Sequence, residues 1–284
     1  MEKELISKEG DKDCVKSYLL NMMAWFHEQC TSNKLRYYVL GGTMLGAVRH
    51  KGFIPWDDDI DVGLPRRDYE RLKKLPCFNN INNRYILETP ESKARDYNYC
   101  FSKLYDTKTT LIENTRYHIK RGIYIDIFPL DGMGNTEEES HATFKIIDKK
   151  FKVILTRTTG LRKGRSLLKN MAVIGGRLIP SIIFNVKKAI IDINNSCSKK
   201  DFDHYDYGGN PFGAWREKEI MNRTIMGNPT LYQFENIEVF GAQDADGYLT
   251  HLYGDWKELP PIEKRVSHHD FIKLDLNRSY LDNN

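Results

Sequence analysis

The chain has 284 residues, 40% hydrophobic and 29% charged, with 13 Phe, 16 Tyr and 4 Trp, enough apolar material for one large domain or a core with an elaboration. A net charge of +4 and a pI near 8.6 do not by themselves imply nucleic-acid binding. Five scattered cysteines without a C-x-x-C pair argue against a disulfide framework and a zinc finger, and Met1 to Lys12 has no apolar run of the signal-peptide kind.

Taken in order, Lys12 to Cys30 places Val15, Tyr18, Leu19, Met22, Met23, Trp25 and Phe26 at helical spacing, which predicts a core-packing helix. Arg36 to Leu40 reads as a short strand broken by Gly41-Gly42, with Thr43 as N-cap of a short helix through about Arg49. Asp59 to Leu64 reads as a second strand and Arg66 to Leu75 as a helix with a charged face. Further strands are expected at Arg84 to Glu88, Tyr97 to Tyr105 and Gly122 to Phe128. From Glu137 to about Ser198 the pattern is helical, with breaks near Gly160, Gly164 and Pro180. A strand at Ile237 to Phe240, a helix at Asp244 to Tyr253 and the stop at Pro260-Pro261 follow. The fold class is α+β: a mixed sheet, then helices, then a mixed return segment. Three units are expected: a core over 1–140, a helical elaboration over 141–200, and a segment over 201–284 that returns to the core. No stretch of about 18 apolar residues predicts a membrane span, and a cytoplasmic location is expected.

The chemistry concentrates in Trp56-Asp57-Asp58-Asp59-Ile60-Asp61-Val62. Carboxylates this close repel, and a fold keeps them together mainly where a cation neutralises them. Strand alternation puts Asp59 and Asp61 on one face and Ile60 and Val62 on the other, with Asp57 a helper at the strand entry and Asp58 pointing away. Such a pair suits Mg²⁺ (or Mn²⁺), which completes its shell with substrate oxygens. A lone carboxylate, Asp126, sits in the apolar strand Gly122 to Phe128 and needs a partner there, as metal ligand, general base or half of an ion pair. The Gly41-Gly42-Thr43 turn lets backbone approach a phosphate, and Arg49, His50 and Lys51 add positive charge in the next loop. Metal and phosphate side by side suggest phosphoryl or nucleotidyl transfer.

The run from Leu40-Gly41-Gly42-Thr43-Met44-Leu45-Gly46 through Trp56-Asp57-Asp58-Asp59-Ile60-Asp61-Val62 resembles the LicD family, which includes the fukutin-related proteins and has the polymerase-β-like nucleotidyltransferase fold. Tyr124 to Asp131 is similar to the family's second block. Phe234-Glu235, Tyr253-Gly254-Asp255 and Leu259-Pro260-Pro261 are similar to its C-terminal blocks. The resemblance implies Mg²⁺-dependent transfer of phosphocholine, or of ribitol or glycerol phosphate, from a CDP-linked donor to a cell-surface glycan hydroxyl, with release of CMP. It implies Asp59, Asp61 and Asp126 as metal-binding and catalytic residues and Gly41, Gly42 and Thr43 as the phosphate turn. Arg49, His50 and, more weakly, Lys103 are the expected phosphate contacts. NMP transfer from an NTP, with release of pyrophosphate, and an inactive glycan- or nucleotide-binding module are the competing classes.

From Lys149 to Lys188 eleven Lys or Arg occur without one Asp or Glu, alternating with Ile154, Leu155, Leu167, Leu168, Ile179, Ile182, Ile183 and Phe184. A cationic amphipathic helix can lie in anionic headgroups, and the resemblance implies an acceptor often built on a lipid carrier, so one reading of residues 149–191 is peripheral contact with the inner face of a membrane. A solvated, core-packed helical subdomain and a phosphate-rich acceptor site are the competing readings. The run has few interleaved aromatic residues, which argues against nucleic acid.

Overall fold

A computed structural model describes residues 9–80, 82–161, 166–180, 182–266 and 271–282. The expected break at Gly164, and Arg162, Lys163 and Arg165 of the basic run, lie outside the described residues.

Helix α1 (Glu9–Ser32) buries Leu19, Met22, Met23, Phe26 and Cys30, one stripe of a 3.6-residue period, against the sheet. β1 (Tyr38–Val39) is shorter than expected because Arg36 turns away to bond Asp68 and Asp203. α2 (Gly41–Leu45) runs into a π-helical turn, Gly46–His50, which ends at Lys51 in the left-handed region (φ 60°). There follow β2 (Asp61–Pro65), α3 (Arg66–Leu72), α4 (Pro76–Asn79), β3 (Tyr85–Glu88), β4 (Ser102–Asp106), β5 (Thr110–Glu113), β6 (Lys120–Arg121) and β7 (Tyr124–Gly134).

The long helical stretch is three helices: α5 (Glu137–Thr158), α6 (Leu167–Leu178) and α7 (Val186–Cys197). Thr136, Ser166 and Asn185 cap their N-termini, each side chain accepting a backbone N–H of the first turn. The chain then adds β8 (Tyr207–Gly209), β9 (Ile220–Asn222), α8 (Arg223–Met226), the hairpin β10 (Thr230–Phe234) and β11 (Ile237–Gly241), α9 (Ala245–Tyr253) and β12 (Phe271–Asp275). Among the described residues no helix is long and apolar enough to cross a membrane.

The main sheet is mixed, with order β1-β2-β7-β4-β3, and β8 and β9 extend it from the far end of β7. Only β2 and β7 pair in parallel; the other pairs are antiparallel. Two satellites complete the fold, β10-β11 and β12-β5-β6. The strand expected at Tyr97 to Tyr105 is confined to Ser102 onward. The buried Tyr97 hydroxyl donates to the carbonyls of Glu88 and Phe101, so residues 97–101 fold back over the sheet.

One buried ion pair ties these layers together. Arg66, at the junction of β2 and α3, donates to both oxygens of Asp131 on β7 at 2.8 and 2.6 Å, with side chains 6% and 0% exposed. It also reaches Asn194 Oδ1 of α7. Burial pushes the Asp131 carboxyl up, although Arg66 opposes the shift. Removing one partner strands a buried charge, so Asp131→Ala is expected to lower unfolding stability by about 3–5 kcal/mol, and Arg66→Met with Asp131→Leu by clearly less. Urea titration of the three proteins checks this; a single-variant loss under about 1 kcal/mol would contradict it.

Candidate active site

The site begins with the register between strands. Asp61 opens β2 directly beside Asp126 of the parallel β7, and Asp126 faces Lys103 of β4 on its other side. Three adjacent strands thus present carboxylate, carboxylate and ammonium in one row, and neighbours in such a row share a face of the sheet. Asp59 precedes the strand rather than belonging to it, so alternation is not what brings it to Asp61. Even so, Asp57, Asp59, Asp61 and Asp126 line one cavity of about 1000 Å³, which Asp58 does not line. Burial, then the charges of Asp59, Asp126, Glu219 and Asp57, push the Asp61 carboxyl well above the usual range.

The glycine turn lies against these carboxylates. Gly41 has φ +49°, and a Cβ added at Gly42 would meet Asp57 Oδ2 at 2.7 Å, so the close approach requires glycine. Thr43 is not the N-cap: α2 starts at Gly41, and the buried Thr43 hydroxyl accepts the Asp61 backbone N–H at 2.9 Å. Thr43 therefore stitches the turn to the acidic strand and does not line the cavity. The Gly41 N–H, expected to face phosphate, donates instead to the Tyr248 hydroxyl at 2.9 Å.

The three expected phosphate cations differ. Arg49 lines the cavity and donates to the carbonyls of Trp256 (2.7 Å) and Glu258 (3.3 Å), so it also anchors the C-terminal loop. His50 does not line it; its Nε2 accepts from Arg49, and its ring sits edge-on to Trp56. Lys103 is buried, not exposed. Its ammonium lies 3.1 Å from Asp126 and 3.3 Å from Glu113, against the rings of Tyr124 and Tyr99. Lys103 lines the cavity while its charge faces these carboxylates.

The opposite wall comes from residues that sequence reasoning missed. Trp215, Arg216, Glu219 and Asn210 line the cavity with Tyr253. Trp215 and Tyr253 meet edge-to-face, centroids 4.9 Å apart and planes at 81°, and their polar ends are hydrogen-bonded. Glu219 accepts the Trp215 backbone N–H at 2.9 Å, and burial pushes its carboxyl up to about 7. Nothing local marks these residues, since Trp215-Arg216-Glu217-Lys218-Glu219 reads as a solvated charged turn. The C-terminal blocks do meet the N-terminal one. Glu235 accepts the Phe53 N–H at 3.0 Å, Phe234 packs on Phe53, and Tyr253, Leu259, Pro260 and Pro261 line the cavity.

The donor atoms suit a hard cation: oxygen only, and crowded enough that repulsion holds Asp61 above its ordinary range. Among the described residues no group of three or more His, Cys, Asp or Glu is arranged to hold a metal ion. Asp59 and Asp61 fit a cation that takes one or two carboxylates and completes its shell with substrate oxygens, whereas Asp126 already faces Lys103.

Residues 34–157 match the family model described as LicD/FKTN/FKRP, nucleotidyltransferase domain. The chain is 30% identical over 253 residues to the lipopolysaccharide cholinephosphotransferase LicD of Haemophilus influenzae, covering 88% of this chain and 92% of that protein. An uncharacterized protein of Rickettsia prowazekii is 41% identical over 83 residues, 29% of each chain. The human ribitol 5-phosphate transferase FKRP is 44% identical over 41 residues, 14% of this chain and 8% of that protein. With a relative matched along nearly its whole length, and the matched domain spanning both the glycine turn and Asp126, the chain belongs to the LicD family.

Proposed function

We propose that the chain is a phosphotransferase that moves phosphocholine from CDP-choline to a glycan hydroxyl and releases CMP, on a nucleotidyltransferase core. The observation that carries the reading is the Asp61–Asp126 register, which opens with Asp59 into a cavity large enough for such a donor. The similarity to a cholinephosphotransferase supports the transferred group. Asp59 and Asp61 would hold Mg²⁺ or Mn²⁺, which when bound neutralises charge on the departing diphosphate oxygen.

The acceptor oxygen attacks the phosphorus that carries choline, the bond from that phosphorus to the CMP oxygen breaks, and the hydroxyl proton leaves with a base. Asp126 takes that proton, and Lys103 positions its carboxylate through the 3.1 Å contact. Arg49, already anchored on the C-terminal loop, faces the diphosphate across the cavity.

A trimethylammonium group asks for aromatic faces and a counter-charge. Lys103 covers Tyr99 and Tyr124, whereas the Trp215–Tyr253 corner has the Glu219 carboxyl at its base. That corner is the choline subsite of this reading, and a polyol would draw little from it.

Incubation with Mg²⁺ and CDP-choline, CDP-ribitol or CDP-glycerol, scored as CMP against pyrophosphate, tests the reaction; no CMP from any donor would end it. Asp61→Asn should lower CMP release about a thousandfold while leaving the melting temperature equal or higher, because a repelling charge is removed. Near-normal turnover would remove Asp61 from the metal site. Glu219 is neutral below about 7 and charged above it. The KM for CDP-choline is therefore expected to fall as pH rises through about 7, and Glu219→Gln to flatten that profile. Trp215→Ala should raise the CDP-choline KM about tenfold and leave CDP-glycerol unaffected; an equal effect on both donors would displace the choline subsite without touching the reaction assignment.

A further inference from the structure

The basic stretch divides into two populations of cations. Arg157 is buried and donates to the carbonyls of Gly176 (3.0 Å) and Ile179 (2.7 Å). Arg177 donates to the Thr159 carbonyl at 3.0 Å, and Lys187 to those of Ser92 and Tyr97. These three are structural staples. Lys149, Lys150, Lys152, Lys169 and Lys188 are exposed.

The apolar residues behave oppositely. Along α6, Leu168 is 78% and Leu178 78% exposed, with Met171 and Ile174 exposed between them and Leu167 just before; Ile182 is 94% and Ile183 74% exposed just beyond. The opposite face of α6 buries Val173 and Gly176 toward α5. The helix therefore packs by its small residues and points its large ones outward, the reverse of a core-packed helix in water. An outward row of this size marks an interaction surface.

We propose that the α6 ridge, from Leu167 to Ile183 over its described residues, is a membrane-insertion surface that seats the enzyme on an anionic bilayer. Charge complementarity selects this occupant: the exposed Lys169 lies on α6 itself, the exposed Lys188 on the next helix, and no Asp or Glu occurs between Lys149 and Ile191. Shape agrees, because side chains this exposed protrude, and a fluid acyl layer accepts protruding tips without a matching pocket. The placement also suits the site. The last turns of α5 line the cavity with Leu155, Thr158 and Thr159, while Arg157 in the same turn is bonded to α6 and the residue that follows it. Helix α6 thus packs beside the part of α5 that lines the cavity and carries the ridge on its outward face.

The test is co-sedimentation of the full-length protein with vesicles of phosphatidylglycerol mixed with phosphatidylcholine, and with vesicles of phosphatidylcholine alone. Two variants accompany it: Leu178→Asn with Ile182→Asn, and the control Leu231→Asn, an exposed apolar residue on β10. Wild type and control are expected to bind the anionic vesicles, and the double variant at least about tenfold less. The double variant should keep its melting temperature and its CMP release from soluble donor. Failure of wild type to bind anionic vesicles, equal binding by the double variant, or equal binding to neutral vesicles would overturn the proposal. So would a wild-type dimer by light scattering that the double variant converts to monomer, since that assigns the ridge to a second copy of the chain.

Discussion

The parallel pairing of β2 with β7 is the constraint on which the molecule turns. Its register sets two like charges, Asp61 and Asp126, side by side at one end, and the junction just past its other end joins two opposite charges, Arg66 and Asp131. The first pair opposes the pairing and the second favours it. A slip of one residue would bury the Asp61 side chain and expose Val62. The attractive pair is enclosed and the repulsive pair opens on the cavity, so the fold stores its unfavourable electrostatics where a ligand can relieve them.

Around that ladder each conspicuous charge has a definite errand. Lys103 holds Asp126, while Asp61 feels the charges of Asp59, Asp126, Glu219 and Asp57. Arg49 and Glu235 tie the loops near the glycine turn to the C-terminal part of the chain. The turn needs glycine because Asp57 crowds it, and it needs Thr43 because the Asp61 amide requires an acceptor. The motif is therefore partly chemistry and partly the scaffolding that aims it.

What could be read from the chain followed locality. The α1 stripe, the acidic run, the turn and the isolated Asp126 each announce themselves within a few residues, and the mixed sheet follows from their order. The burial of Lys103 against Asp126 could not be read, because a lysine in a strand reads as solvated unless its cross-strand neighbours are known. Glu219 and Trp215 were illegible for the same reason, since their setting is made by Tyr253 and by burial. The short strand β12 pairs only with β5, far back along the chain, among the described residues. The basic stretch misled differently: Arg157, Arg177 and Lys187 look like surface charge and bond carbonyls instead.

The cavity is lined from early, middle and late parts of the chain, with Leu40 to Asp61, Asp96 to Gly160 and Asn210 to Val266 all contributing. Synthesis runs in one direction, so the acidic cluster leaves the ribosome some 150 residues before the wall that faces it. Through that interval the Trp215–Tyr253 corner does not yet exist. The cavity is complete only once residues 210–266 have folded against the earlier elements.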